Sequence, residues 1–150
     1  MLARCDVKAA LVGAVTTAVA AVDPSAAVRW APQRDPEQAD YVVFGPIEQA
    51  GDEVPTVRVR PVAIDDEWTM DVACVAWVRG EYAPEVTDRR CEALMAAVVD
   101  VVRANPSVDT TGACVTAIVV SAVDGPQFGA DEVGGVSVGV VSIRVRQRIG

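Results

Sequence analysis

Glu67-Trp68-Thr69-Met70-Asp71-Val72-Ala73-Cys74-Val75-Ala76-Trp77-Val78-Arg79 changes character at every second residue. Successive side chains of a strand point to opposite faces. Trp68, Met70, Val72, Cys74, Ala76 and Val78 therefore share one face as an unbroken apolar row. The other face opens with Glu67, Thr69 and Asp71 and closes with Arg79, but Ala73, Val75 and Trp77 lie between them. A strand apolar on both sides needs cover on both sides. The second cover comes from a helix or from a neighbouring subunit, and Trp77 marks that surface as a candidate interface.

A helix follows the strand. Gly80 ends the alternation, Pro84 permits a helix start, and Asn105-Pro106 stops the helix. Between them Cys91, Leu94, Met95, Val98, Val101 and Val102 recur at helical spacing. A β-branched strand is predicted from Ala113 to Val123, then a glycine-rich acidic loop from Asp124 to Gly135. The last strand runs from Val136 to Ile149. Val141, Ile143, Val145 and Ile149 turn to the core, and Arg144, Arg146 and Arg148 form a cationic row on the far face. Val136, Val138 and Val140 have the opposite parity, which predicts a β-bulge and a change of face midway.

Upstream, Asp6 is a suitable N-cap for a helix reaching Val22, with Val7, Leu11, Ala14, Val15, Ala18 and Val22 as its apolar stripe. Ala18-Val19-Ala20 imitates a signal-peptidase site, but Asp6, Thr16 and Thr17 favour an amphipathic helix over a leader. No run reaches the ~20 apolar residues of a membrane span. Lys8 sits beside Asp6 on what reads as an exposed turn. Short strands are expected at Val28–Trp30 and Tyr41–Phe44. Another is expected at Thr56–Ile64, where Arg58 and Arg60 share a face.

The 150 residues fit one domain, residues 1–150, large enough to bury a core without staples. Only 5 % are aromatic, so valine and alanine build that core. The net charge is −8. Tight sequence-independent binding of nucleic acid needs a positive footprint, which this chain lacks. Of 13 basic residues only Lys8 is a lysine; arginine is the better partner for carboxylates at interfaces.

The chain has no histidine, so Ser–His and Cys–His pairs and imidazole bases are absent. Cys5, Cys74, Cys91 and Cys114 lack zinc-site spacing, and Cys74 and Cys91 fall on inward faces as small hydrophobes. Asp65-Asp66 reads as a solvated turn before the strand, and Asp65, Asp66 and Glu67 are neighbours whose carboxylates do not converge on one cleft. The glycines of 124–135 lack the Gly-Lys-Ser/Thr ending of a phosphate loop. The expectation is a protein that is not an enzyme and uses no cofactor or metal. A small ligand-binding or enzymatic domain using Cys91 or Asp65 is the alternative.

The alternating strand, Gly80, the Ala/Val-rich helix closing on Asn105-Pro106 and the ending Arg144-Val145-Arg146-Gln147-Arg148 together resemble the tail terminator proteins of long-tailed bacteriophages. Related head–tail joining and tail completion proteins share the resemblance, which covers nearly the whole chain. It implies an α+β fold: a mixed, mostly antiparallel sheet with two helices packed on one face. It also implies a homohexameric ring that caps the tail tube, stops its polymerisation and docks to head–tail connector proteins. DNA would pass through the lumen without specific binding, no membrane would be involved, and the site would be the virion tail, assembled in the host cytoplasm. A ring uses head-to-tail contacts, so each subunit needs two unlike surfaces. The arginines Arg58, Arg60, Arg144, Arg146 and Arg148 and the acids Asp52, Glu53, Asp131 and Glu132 are the candidates, with Trp77.

Overall fold

Two helices lie against one side of a six-stranded sheet. The computed structural model describes residues 4–33, 39–50, 64–79, 84–104, 114–130 and 134–149. In chain order these form α1 (Arg4–Val22), β1 (Ala27–Arg29), β2 (Tyr41–Phe44), β3 (Glu48–Gln49), β4 (Ile64–Arg79), α2 (Pro84–Ala104), β5 (Cys114–Ala130) and β6 (Gly134–Ile149). The strand order is β1-β2-β4-β6-β5, and β3 adds to β4 beside β2. Among the described strands only β1 and β2 pair in parallel; the other pairs are antiparallel. The expected α+β class holds. The proposed strand at Thr56–Ile64 falls almost wholly outside the described residues.

The β4–β6 ladder is the spine. It runs without a break from Ile64 opposite Ile149 to Arg79 opposite Gly134. On its inner face Trp68, Met70 and Val72 stand opposite Val145, Ile143 and Val141, and all six are essentially inaccessible to solvent. α2 covers them with Cys91, Leu94, Met95 and Val98, and α1 adds Val7, Leu11, Val15 and Val19. The α1 stripe repeats strictly at four residues. Val19, not Val22, is its last member; Val22 is 51 % exposed.

β6 does not change face. Ser137 and Gly139 continue the buried row of Val141, Ile143 and Val145. The apolar phase breaks because α2 comes too close for a large side chain: a Cβ on Gly139 would lie 2.1 Å from Met95 Sδ. The irregularity sits instead on β5, which shifts register against β6 between Val115 and Ala117, Val120 and Ala122, and Asp124 and Gln127. β5 is the sheet's outer edge, where an extra residue disturbs one ladder only. The predicted loop from Asp124 is therefore mostly strand. Gly125, at φ +89°, and Pro126 form a bend inside β5. Proline's missing N–H is tolerated on an edge.

Lys8 is buried at 4 % exposure, contrary to its reading as a surface residue. Its Nζ donates to the Gly45 carbonyl at 2.9 Å and lies 4.5 Å from the centre of the Trp30 ring. The long aliphatic stem packs in the core while the ammonium finds an acceptor and a π face at the rim.

Candidate functional site on the open face of the sheet

Pairing register decides which side chains share the face away from the helices. Three cross-strand rows form its apolar end: Tyr41–Val75–Val138, Val43–Ala73–Val140 and Trp77–Val136. The next rows are polar: Asp71–Ser142, Thr69–Arg144 and Glu67–Arg146. The face thus carries an apolar stretch beside a charged one, with Arg79 in the row beyond Trp77 and Asp124 opposite Val140 at its margins. Val75 is 6 % exposed within the apolar rows, while Val138 is 37 % exposed at their outer margin. Where β5 bends, Asp124, Gly125, Gln127 and Gly129 wall a groove of about 390 Å³ over Val136, Val138 and Val140.

Trp77 is held in this face by its backbone. Its N–H donates to Asp40 Oδ1 at 2.9 Å, and its carbonyl accepts from Arg90 at 3.4 Å. Arg90 of α2 also closes a bidentate pair on Asp40, whose side chain is 3 % exposed. One buried carboxylate therefore ties the start of β2, the end of β4 and the first turns of α2. Asp40 carries no motif, and its role becomes visible only when the three elements meet.

The charged half is neutralised within the subunit. Arg144 pairs with Glu67, and Arg146 Nη2 lies 3.5 Å from the same carboxylate. The Ser142 hydroxyl donates to Asp71 at 2.6 Å. Arg144 and Arg146 do face away from the core as expected, but they meet acids of β4 before any partner arrives. Arg148 follows in register opposite Asp65 and Cys114, with its side chain outside the described residues. Arg58, Arg60, Asp52, Glu53, Asp131 and Glu132 also lie outside the described residues. Trp77 is the sequence-predicted residue that joins the apolar end. Tyr41, Val43, Val136, Val138 and Val140 join it without having been expected there; the parity of the three β6 valines was the available signal.

The buried thiols are chemically quiet. Burial pushes Cys74 up to about 12 and Cys91 up to about 11, with Asp88 adding to the effect at Cys91. The Cys91 thiol donates to the Cys74 carbonyl at 3.2 Å. Thiolate is the nucleophilic form, so neither is poised to react near neutrality. Desolvation lowers the pKa of Lys8. A second ion pair, Arg4 with Asp66, anchors α1 to β4, and the Gln147 amide approaches the same carboxylate at 3.4 Å. Among the described residues no three His, Cys, Asp or Glu side chains are grouped to hold a metal ion.

No family model and no curated protein matches the sequence. A solved structure matches the fold. A chain described as "Virion of native gene transfer agent (GTA) particle" superposes with a TM-score of 0.61 at 17 % identity, covering 91 % of this chain and 93 % of that one. The two chains share a fold. The shared architecture runs nearly end to end over both chains.

Proposed function

We propose that this chain is a structural protein of a phage-like virion, a subunit of a ring at the end of the tail. The observation that carries the reading is the end-to-end fold shared with a chain of a gene transfer agent virion. The use of side chains is in keeping with it. The buried carboxylates Asp40 and Asp66 lock elements together, and the buried thiols are held protonated. The ring is taken to be a homohexamer that caps the tail tube, stops its growth and meets the head–tail connector proteins. The work is done by shape, without enzymatic turnover or a cofactor. The charge of −8 suits a collar through which DNA passes without adhering. The protein would assemble in the host cytoplasm and remain in the virion tail.

Particles assembled without the protein test the role. Overlong tails identify a terminator; tails of normal length left unattached to heads identify a joining protein instead. Light scattering of the purified chain, alone and with tail-tube protein, tests the ring. A monomer at every concentration that never joins a tail overturns the reading.

A further inference from the structure

Two buried polar atoms have no hydrogen-bond partner among the described residues: Trp68 Nε1 and Gln147 Oε1. Both residues are inside the subunit, Trp68 at 0 % and Gln147 at 1 % exposure. A native interior seldom leaves such groups unpaired, because each would lower the folding equilibrium constant by about tenfold or more. One of the two atoms is only a donor and the other only an acceptor. They also share one corner of the sheet. Gln147 stands opposite Asp66, and Trp68 follows Asp66 by two residues on the same inner face, opposite Val145. Diagonal neighbours of this kind lie about 7–8 Å apart, within reach of an aromatic and a long side chain.

The groups around them fix their orientation. The Gln147 amide nitrogen approaches the Asp66 carboxylate at 3.4 Å. Reversing the amide would turn its carbonyl oxygen onto that carboxylate, so Oε1 faces the other way. Asp66 is held by Arg4, which closes two hydrogen bonds on it. Gln49, opposite Trp68 on β3, turns its own carbonyl oxygen to Arg4 at 3.2 Å. The polar groups of this corner are committed to one another, and the indole N–H and the Gln147 oxygen are left as a complementary donor and acceptor. No direct bond joins them. A bridging group has to accept from the first and donate to the second. An anion would meet the Asp66 carboxylate and the Gln147 oxygen, and a cation would meet the indole N–H. A neutral hydroxyl satisfies both, and water is the smallest molecule that carries one.

We propose that Trp68 and Gln147 hold one buried water between them, which accepts from the indole N–H and donates to the Gln147 amide oxygen. The water extends a polar chain that runs from Arg4 at the rim through Asp66 and Gln147 to Trp68 in the core. It ties the first turn of α1 to both strands of the central ladder at one register. A slip of β6 against β4 would separate the two halves of the site, so the bridge favours the observed pairing. The site belongs to the folded subunit and does not depend on the ring reading.

Nuclear magnetic resonance of the intact, isotope-labelled chain is the test. The Trp68 indole N–H, assigned in the parent, should show a direct nuclear Overhauser contact to a long-lived water. Gln147→Leu should remove that contact. A parent indole without it, or a contact that survives Gln147→Leu, overturns the proposal. Denaturant unfolding of Trp68→Phe, Gln147→Leu and the double variant gives a second reading. A shared bridge makes the second substitution about fivefold or more milder, in folding equilibrium, once the first is made. Strictly additive effects overturn the bridge. Should a variant fail to fold, the parent spectrum alone decides: a long-lived water at the Trp68 indole supports the site, and its absence overturns it.

Discussion

The two faces of one sheet behave differently although the same strands build them. The inner face of β4 and β6 is filled by Trp68, Met70, Val72, Val141, Ile143 and Val145, with two helices completing the enclosure. The outer face carries nearly as much apolar surface at one end, in Val75, Trp77, Val136, Val138 and Val140, and no described helix covers it. Hydrophobicity alone therefore does not distinguish core from interface here. What distinguishes them among the described residues is whether a helix lies over them.

Trp68→Ala should show the largest effect on folding. Trp68 is fully buried under the helices, and its loss should cost about 3–5 kcal/mol in denaturant unfolding. Trp77→Ala, on the other face of the same strand, should cost far less in folding and should instead reduce assembly. Equal folding costs would erase the distinction between the faces.

High pH should attack the inner face selectively. Unfolded thiols lose their protons above about pH 9, while native Cys74 and Cys91 keep theirs to about 12 and about 11. The native state then holds more protons, so stability falls as pH rises through that window. The loss should approach ~3 kcal/mol by pH 10 for the two thiols together. Lys8 acts in the opposite sense, because its lowered native pKa makes stability rise toward its unfolded value of 10.5. Melts across this range, repeated with Cys74→Ala, should show a shallower alkaline decline in the variant.

Asp40→Ala removes the acceptor for both Arg90 and the Trp77 N–H. Folding should weaken by about 2 kcal/mol, since a partly buried guanidinium and an amide lose their partner. Assembly should weaken further, because Trp77 loses its backbone anchor. Smallest of all, Glu67→Gln should change folding by only ~0–1 kcal/mol, as expected of half-exposed pairs. It also takes the carboxylate charge away from Arg144 and Arg146. If the charged half takes part in assembly, the salt dependence of association should become steeper. An unchanged salt profile would confine the interface to the apolar end.

Alternation predicted β4 from Glu67 to Arg79, but the strand starts at Ile64 and runs through the expected turn at Asp65-Asp66, where Asp66 is buried; the 3.6-residue period was enough to predict α2 from Pro84 to Ala104. Both are long and amphipathic, so local pattern and tertiary environment agree. The reading failed where they diverge. Glycine and proline at 125–126 look like a loop but make a bend in an edge strand. The odd residues Ser137 and Gly139 look polar or empty but are core, because α2 presses against them. Lys8 looks like a surface cation but ends on a carbonyl and a tryptophan ring brought in from β2's end and the β1 turn. The arginine row was visible as a row; its neutralisation by Glu67 was not, because register belongs to the pairing of two distant strands.

The amino-acid order by itself determined which residues lie on one face of a given strand or helix, since that follows from backbone period alone. It also determined that no imidazole chemistry is available, since the residue is absent. Only the tertiary structure decided which of two apolar faces became the core. That choice depends on where α1 and α2 come to rest, and no local period encodes it. The same packing brought α2 against Gly139, where a Cβ would meet Met95, a contact that exists only once the rest of the subunit is in place.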